Sequence, residues 1–349
     1  MSKTITINDI ANELGLSRNT VSKVLNGKKV PEQTKKIVMD KAIELGYKNL
    51  NLVSSNDSYL RNQKILLLTS KALFNLNFFL SIVRGIENTV KKYDFELIQY
   101  TFNFSTLTSY KDLSTYIKAL HVNGIICIES FENEFIKELL SQEVPVVFID
   151  FTSSITDFKG NFDIVMMENI DVVKQLCNLL IKQSNCKTFG FVGDYTHCKG
   201  FYERFIGMKE ALFANNIEYQ PSYSITFDDS FTYGDSKQMQ KVLSEMLELP
   251  DCFICANDFI ALSLMSALKA LGKKIPEDIQ VVGFDNIHES RISEPPLTTI
   301  NTDKEYLGKQ ALNTLINRIK HPKDKNRIVY TETNIILRQS TKPIKLKSY

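Results

Sequence analysis

The chain has 349 residues, with 42 Lys and Arg against 40 Asp and Glu, a formal net charge of +2 and 43% hydrophobic residues. At about 100 to 200 residues per domain this predicts two or three globular domains and excludes a disordered chain, a collagen-like repeat or a supercharged tail. The near balance of charge argues only weakly against a nucleic-acid partner, because a global sum hides segregation.

The first residues, Met1 to Gly15, carry Asp9 and Glu13 and hold no apolar run of signal-peptide length. No later stretch approaches about 18 consecutive apolar residues, the length of a membrane span. A cytoplasmic protein is expected. The six cysteines are scattered through a long chain, which fits a reducing compartment and buried thiols.

Split by position, the charge is uneven. Residues 1 to 50 hold nine Lys and Arg against five acids, a net +4, leaving −2 for the rest. This basic stretch reads as three short helices. Ile7, Ile10, Ala11 and Leu14 fall at helical spacing behind Thr6, an N-cap, and Gly15 supplies the positive φ that ends the run. Ser17 caps a second helix to about Leu25, closed by Asn26-Gly27. Pro31 opens a third, with Ile37, Ala42, Ile43 and Leu45 facing inward, which ends at Gly46. Residues 49–62 are polar, poorly periodic and linker-like.

From Lys64 onward apolar runs alternate with helical patterns. The runs are Ile65–Thr69, Phe95–Tyr100, Gly124–Ile128, Val144–Ile149, Asp163–Met167, Thr188–Val192, Tyr223–Phe227, Cys252–Cys255 and Ile279–Phe284. Such runs mark strands buried on both faces, with helical crossovers between parallel strands. Nine are many for one sheet. The expected fold class is α/β: an all-α helix-turn-helix domain followed by a body of two doubly wound subdomains, with a crevice at the strand carboxyl ends.

A helix-turn-helix needs a small residue at the helix crossing, a glycine in the turn and an apolar anchor on the second helix. Ala11, Gly15 and Val21 supply them. The second helix would enter the major groove, where Arg18 matches guanine bidentately, Asn19 matches adenine, and Lys23 lies on a similar face. Thr6, Thr20, Ser22, Asn26 and Thr34 are short donors suited to phosphate oxygens. The competing reading, a surface hairpin with solvated charges, suits any one of these residues alone. The joint pattern of crossing, turn, caps and local basic excess favours DNA.

The run TITINDIANELGLSRNTVSKVLNGKKVPEQTKKIVMDKAIELGYK resembles the N-terminal domain of the LacI/GalR family of bacterial transcriptional regulators. PVVFID (Pro145–Asp150), GFVGD with ERFIGMKEAL (within Gly190–Leu212), CANDFIALSLMSALKALGKKIPEDIQVVGFD (Cys255–Asp285) and PPLTTI (Pro295–Ile300) resemble its effector-binding core. The resemblance runs from about Ile5 to Gln339. It implies a homodimer that binds a palindromic double-stranded operator and responds to a small molecule, through a periplasmic-binding-protein-like body. The implied division is 1–48 for DNA binding, 49–62 for the hinge and 63–341 for effector binding and dimerisation. Within the body, an N-subdomain of about 63–162 plus 303–326 and a C-subdomain of about 163–300 plus 327–341 are expected. Arg18, Asn19 and Lys23 fall on the family's base-reading positions. The family's hinge leucine, which wedges into the minor groove, would fall near Asn56, and an asparagine cannot act as an apolar wedge. Weaker operator bending is therefore expected.

Clefts of this kind hold polyhydroxylated ligands with carboxylates, amides and guanidinium groups between aromatic faces. Arg204, Asn257 and Asp285 follow or border strand ends and match the family's ligand-contacting positions; Ser70, Phe74, Asp150 and Thr302 rank second. A sugar or sugar derivative is the expected effector, with sugar phosphates and purines as alternatives. Asp258 reads as a helix cap, Phe78-Phe79 as core, and His197-Cys198 as a loop of no special role. Cys252 and Cys255 have CxxC spacing, but on a strand they point to opposite faces, and no second pair completes a metal site. No P-loop, GxGxxG or GxSxG motif is present, so neither an enzyme nor a cofactor is expected. A sugar-binding module without DNA regulation and, more weakly, an enzyme acting on a small polar metabolite are the competing classes.

Overall fold

The computed structural model describes residues 5–25, 28, 30–45, 63–70, 76–93, 95–102 and 110–345. The chain divides into an N-terminal unit ending at Gln63 and a body from Lys64 onward, less Tyr93–Phe95. Hinge residue Asn56 lies outside the described residues.

Three helices build the N-terminal unit: α1 (Ile7–Leu14), α2 (Arg18–Leu25) and α3 (Glu32–Glu44). Thr6 and Asp9 form a reciprocal capping box, in which Thr6 N donates to Asp9 Oδ2 at 2.7 Å and Asp9 N donates to Thr6 Oγ1 at 3.4 Å. Gly15 ends α1 at φ 62°, a left-handed conformation that costs glycine nothing. Ser17 Oγ accepts from Thr20 N at 3.0 Å and caps α2. Ile10, Ala11, Val21, Val24, Val38 and Ala42 form the buried core. Ile37, expected inward, is 48% exposed. The inward stripe of α3 runs through Val38, Ala42 and Leu45 at i, i+4 and i+7, and Ile37 lies about 100° off it.

The body continues as β1 (Lys64–Ser70), α4 (Leu76–Tyr93), β2 (Glu96–Phe102), α5 (Tyr110–Leu120), β3 (Gly124–Ile128), α6 (Asn133–Leu140), β4 (Val146–Ile149) and β5 (Phe162–Met167). Then follow α7 (Ile170–Ser184), β6 (Phe189–Val192), α8 (Lys199–Ala214), α9 (Ser236–Glu245), β7 (Cys252–Cys255), α10 (Asp258–Ala270) and β8 (Gln280–Asp285). The last elements are α11 (His288–Ile292), β9 (Thr298–Thr302), α12 (Lys304–Lys320), β10 (Ile328–Thr331) and β11 (Thr333–Ile336). They form two sheets, ordered β10-β5-β4-β3-β1-β2 and β11-β9-β8-β7-β6. Every pairing is parallel except β11 with β9. The doubly wound expectation holds, and parallel strands buried on both faces explain the unbroken apolar runs of β3, β4 and β5.

The expected subdomain boundaries shift. Residues 163–167 and 327–331, expected in the C-subdomain, lie in the first sheet, where β5 pairs with β4 and β10 pairs with β5. The chain thus crosses between sheets after Met167, Thr302 and Thr331. Composition could not reveal this, because a doubly buried strand looks alike in either sheet. The expected strand Tyr223–Phe227 reduces to a single bridge of Ile225 with Val192, preceded by a 3₁₀ turn at Pro221–Tyr223. Strand β9, TTINT, escaped notice because it is buried through hydroxyls rather than methyls. Thr298 Oγ1 bonds Thr341 Oγ1 at 2.8 Å, and Thr299 Oγ1 donates to Asp258 Oδ1 at 2.5 Å.

Helix α12 packs over β3, β4 and β5, its Arg318 fully buried against Asp163 of β5, with Arg318 Nε donating to Asp163 Oδ2 at 3.0 Å. Helices α4 and α12 meet backbone to backbone: a Cβ on Gly85 would collide with the Glu305 carbonyl, and one on Gly308 with that of Ile82. Among the described residues no helix is long and apolar enough to cross a membrane. All six thiols are buried and free, with burial pushing Cys252 and Cys255 well above the ordinary thiol range.

Candidate functional site

In the N-terminal unit, burial of Val21 and Val24 turns the opposite face of α2 outward, and Arg18, Asn19 and Lys23 are all exposed on it. None of the three side chains has a hydrogen-bond or ion-pair partner among the described residues. The short donors differ among themselves. Thr6 is exposed, and its Oγ1 donates to Asp9 Oδ2 at 2.6 Å within the capping box. Thr20 shares a 2.8 Å hydrogen bond with Ser17, Ser22 and Thr34 are half-buried, and Asn26 lies outside the described residues.

In the body, a cavity of about 410 Å³ opens where the carboxyl ends of both sheets face one another. Each strand delivers a residue as it leaves the sheet: Glu129 after β3, Asp150 after β4, Asp194 after β6, Asn257 after β7 and Asp285 at the end of β8. Arg204 enters from α8, and Phe131, Phe201, Phe231, Tyr233 and Phe259 supply aromatic walls. Such a site, at the ends of strands in two facing α/β layers, is where this architecture binds small molecules.

Arg204 organises the cavity floor. Its Nε donates to Asn169 Oδ1 at 2.9 Å, its Nη1 to the Ala256 carbonyl at 2.5 Å, and its Nη2 lies 3.9 Å from Asp285 Oδ1. The guanidinium stacks on the Phe284 ring at 3.6 Å. Asp150 reaches across the cleft: its Oδ1 accepts from Phe151 N at 2.6 Å and from Gly200 N, on α8, at 3.2 Å. Beside it, Lys199 N donates to the Phe151 carbonyl at 2.7 Å, so the end of β4 is tied to the start of α8.

Burial raises the Asp150 and Asp285 carboxyls above their ordinary range, although Arg204 opposes the shift in both. Burial and the charges of Asp285 and Asp150 push Glu129 up to about 7. His197 Nδ1 and Asp229 Oδ2 lie 2.7 Å apart at the cavity rim. Burial disfavours the charged ring, but the Asp229 partner outweighs it and raises His197 overall.

The structure therefore gathers Asp150, Arg204, Asn257 and Asp285 around one cavity. Asn257 Oδ1 also accepts from Ile260 N at 2.9 Å, so Asn257, not Asp258, is the cap of α10. Asp258 instead sits fully buried, accepts from Thr299 and from Ile287 N, and is pushed by burial to about 7. Thr302 does not line this cavity. Its hydroxyl is buried without a hydrogen-bond partner among the described residues, beside a separate recess near Ser81, Thr89 and Lys304. Ser70 is the last residue of β1, and Phe74 lies outside the described residues. Phe78 is buried as expected and also lines the cavity. Glu129, His197 and Asp229 were not foreseen as site residues. Glu129 obeys the strand-end rule that singled out Asp150; the other two are joined only by folding.

An outward-facing recognition helix in one unit and an enclosed polar cavity in the other define the class: ligand-responsive DNA-binding regulators of transcription. Residues 6–49 match the model for bacterial regulatory proteins of the lacI family, and residues 180–341 match a periplasmic binding protein-like domain. The transcriptional repressor PurR of Aliivibrio fischeri (strain MJ11) is 30% identical over 347 residues, covering 96% of this chain and 98% of that protein. The solved complex of the regulator CelR with cellobiose is 25% identical at a TM-score of 0.70, covering 96% of this chain and 99% of that one. The lac repressor dimer bound to operator shares the fold at a TM-score of 0.65 and 22% identity, covering 97% and 99%. The chain belongs to the lacI family of bacterial regulatory proteins.

Proposed function

We propose that this regulator is a homodimeric repressor of carbohydrate-use genes whose effector is a polyhydroxylated small molecule held in the 410 Å³ cavity. The observation that carries this reading is the convergence of Asp150, Arg204 and Asp285 between aromatic walls, with contributions from both sheets. Carboxylates accept paired sugar hydroxyls, the guanidinium donates, and rings cover the apolar faces of a pyranose. The cellobiose bound by CelR supports the same ligand class.

Arg18 and Asn19 read base edges, Lys23 adds a contact on the same face, and Thr20, Ser22 and Thr34 hold phosphates. Two units in a dimer read the half-sites of a palindrome. Ligand in the cavity bridges the subdomains and so favours one arrangement of them, changing operator affinity by its differential affinity for the two arrangements. The body binds and does not catalyse. In this reading residues 1–48 bind DNA, 49–62 link and 63–341 bind effector and dimerise, and the chain crosses between the sheets after Met167, Thr302 and Thr331.

The test is Asp285→Ala in the full chain. Operator affinity by fluorescence anisotropy should stay at the wild-type value while the response to effector disappears; an unchanged ligand response would remove Asp285 from the site.

A further inference from the structure

We infer that the effector carries a positive charge: an amine-bearing polyhydroxylated molecule, such as an amino sugar, and not a sugar phosphate. This rests on the cavity being the effector site and narrows what can fill it.

Five carboxylates line the cavity, and two are satisfied within the protein. Asp194 Oδ1 accepts from Thr196 N at 2.8 Å and from its hydroxyl at 2.6 Å, and Asp229 is paired with His197. The other three line the cavity less fully satisfied: the Glu129 carboxylate has no hydrogen-bond partner among the described residues, Asp285 has the 3.9 Å approach of Arg204, and Asp150 is held by Phe151 N, Gly200 N and the Cys198 thiol.

Only Arg204 faces them with a permanent positive charge among the described lining residues, and its Nε and Nη1 are held by Asn169 and Ala256. Lys304 lines the other recess and donates to the Asp285 carbonyl, and its charge reaches the Asp285 carboxylate from behind without entering the cavity lining. Lys199 is paired with Glu203 at 3.0 Å. Among the described residues these carboxylates outnumber the permanent cations that act on them, Arg204 and Lys304, and a surplus of negative charge is costly away from water unless something neutralises it. An ammonium group does so, and the faces of Phe131, Phe201 and Phe231 add to its attraction. A phosphate would meet the like charges of Asp150 and Asp285 at short range.

The titration of Glu129 fits this account. Burial raises it most, the charges of Asp285 and Asp150 add to the rise, and those of His197 and Arg204 lower it without prevailing, so at about pH 7 and below a proton occupies much of the place the ligand's cation would take. Binding of an ammonium should therefore release a proton. A neutral sugar has no such effect.

The experiment is isothermal titration calorimetry on the full chain in two buffers of different ionisation heat, at pH 6 and 7.5. The probes are D-glucose, D-glucosamine, N-acetyl-D-glucosamine, D-glucose 6-phosphate, cellobiose and its diamino counterpart. The aminated members should bind about tenfold or more tighter than their neutral partners, roughly one short-range charge pair. They should gain affinity at pH 7.5, release a proton, and lose the preference in Glu129→Gln. Tighter or equal binding of a neutral or phosphorylated sugar would overturn the charge assignment and leave the cavity reading intact. Binding by none of the probes would count against both.

Discussion

The two units hold their functional charges in opposite ways. Arg18 and Lys23 of α2 stand exposed and unpaired among the described residues, supported from behind by the apolar anchors Val21 and Val24. Arg204, Asp150 and Asp285 of the body are all less than 9% exposed and line the cavity, and Arg204 and Asp150 also hydrogen-bond to the framework. The partner explains the difference. A DNA duplex is itself a large charged surface that the protein only lies upon, so its contacts need not be built into a core. A small molecule must be enclosed to be recognised, and enclosure makes each recognition residue a structural residue too. Function and stability should therefore separate under mutation in the first unit and remain entangled in the second.

The largest effect should come from the buried charge of the body that lies away from the cavity. Asp163 accepts from Arg318 and from Arg327 N at 2.7 Å. Asp163→Ala leaves Arg318 uncompensated in the interior, and urea denaturation should show a loss of about 3 to 5 kcal/mol. A loss below about 1 kcal/mol, the value of a surface pair, would break the contrast at its buried end.

Arg18→Ala tests the exposed end. It should cost about 1 to 3 kcal/mol in discrimination at one operator position, read by competition binding with base-substituted operators, while the thermal midpoint stays put. A drop in midpoint as large as that of a body variant would erase the distinction.

A smaller, pH-graded effect sharpens the comparison inside the cavity. Glu129 titrates at about 7 in the fold, above its ordinary 4.5, so the folded state holds a proton that the unfolded chain gives up. Its contribution is complete below about pH 4.5 and lost as pH rises through about 7; Asp258, raised from 3.8 to about 7, acts in the same direction. The thermal midpoint without ligand should fall between pH 5 and 8. Glu129→Gln should flatten part of that fall, and an unchanged slope would mean the carboxyl is not strained by its neighbours.

Much of the N-terminal unit was legible because its signals are local. Thr6 with Asp9, Gly15 and Ser17 lie within one turn of the helix ends they control, and Ala11 and Val21 fall where a helix crossing needs them. Among the described residues, Ile37 in place of Val38 is a phase error of a single residue. In the body, strand-end position led to Asp150, Asn257 and Asp285, because parallel sheets place their sites at carboxyl ends. Glu129 carried the same signal, unread, in a run that ends in an ordinary acidic residue. Thr302 shows the limit of the rule: it ends β9, yet that strand end opens on another recess.

The sequence by itself determined the helical unit, the alternation of strands and helices, and the segregation of basic charge toward the N-terminus, since periodicity, caps and composition act over a few residues. Only the tertiary structure decided which sheet β5 and β10 join, that His197 meets Asp229 across 32 residues, and that three carboxylates crowd around one arginine. Those facts depend on how crossovers bring distant strand ends together, and the burial that follows sets the charge of the cavity.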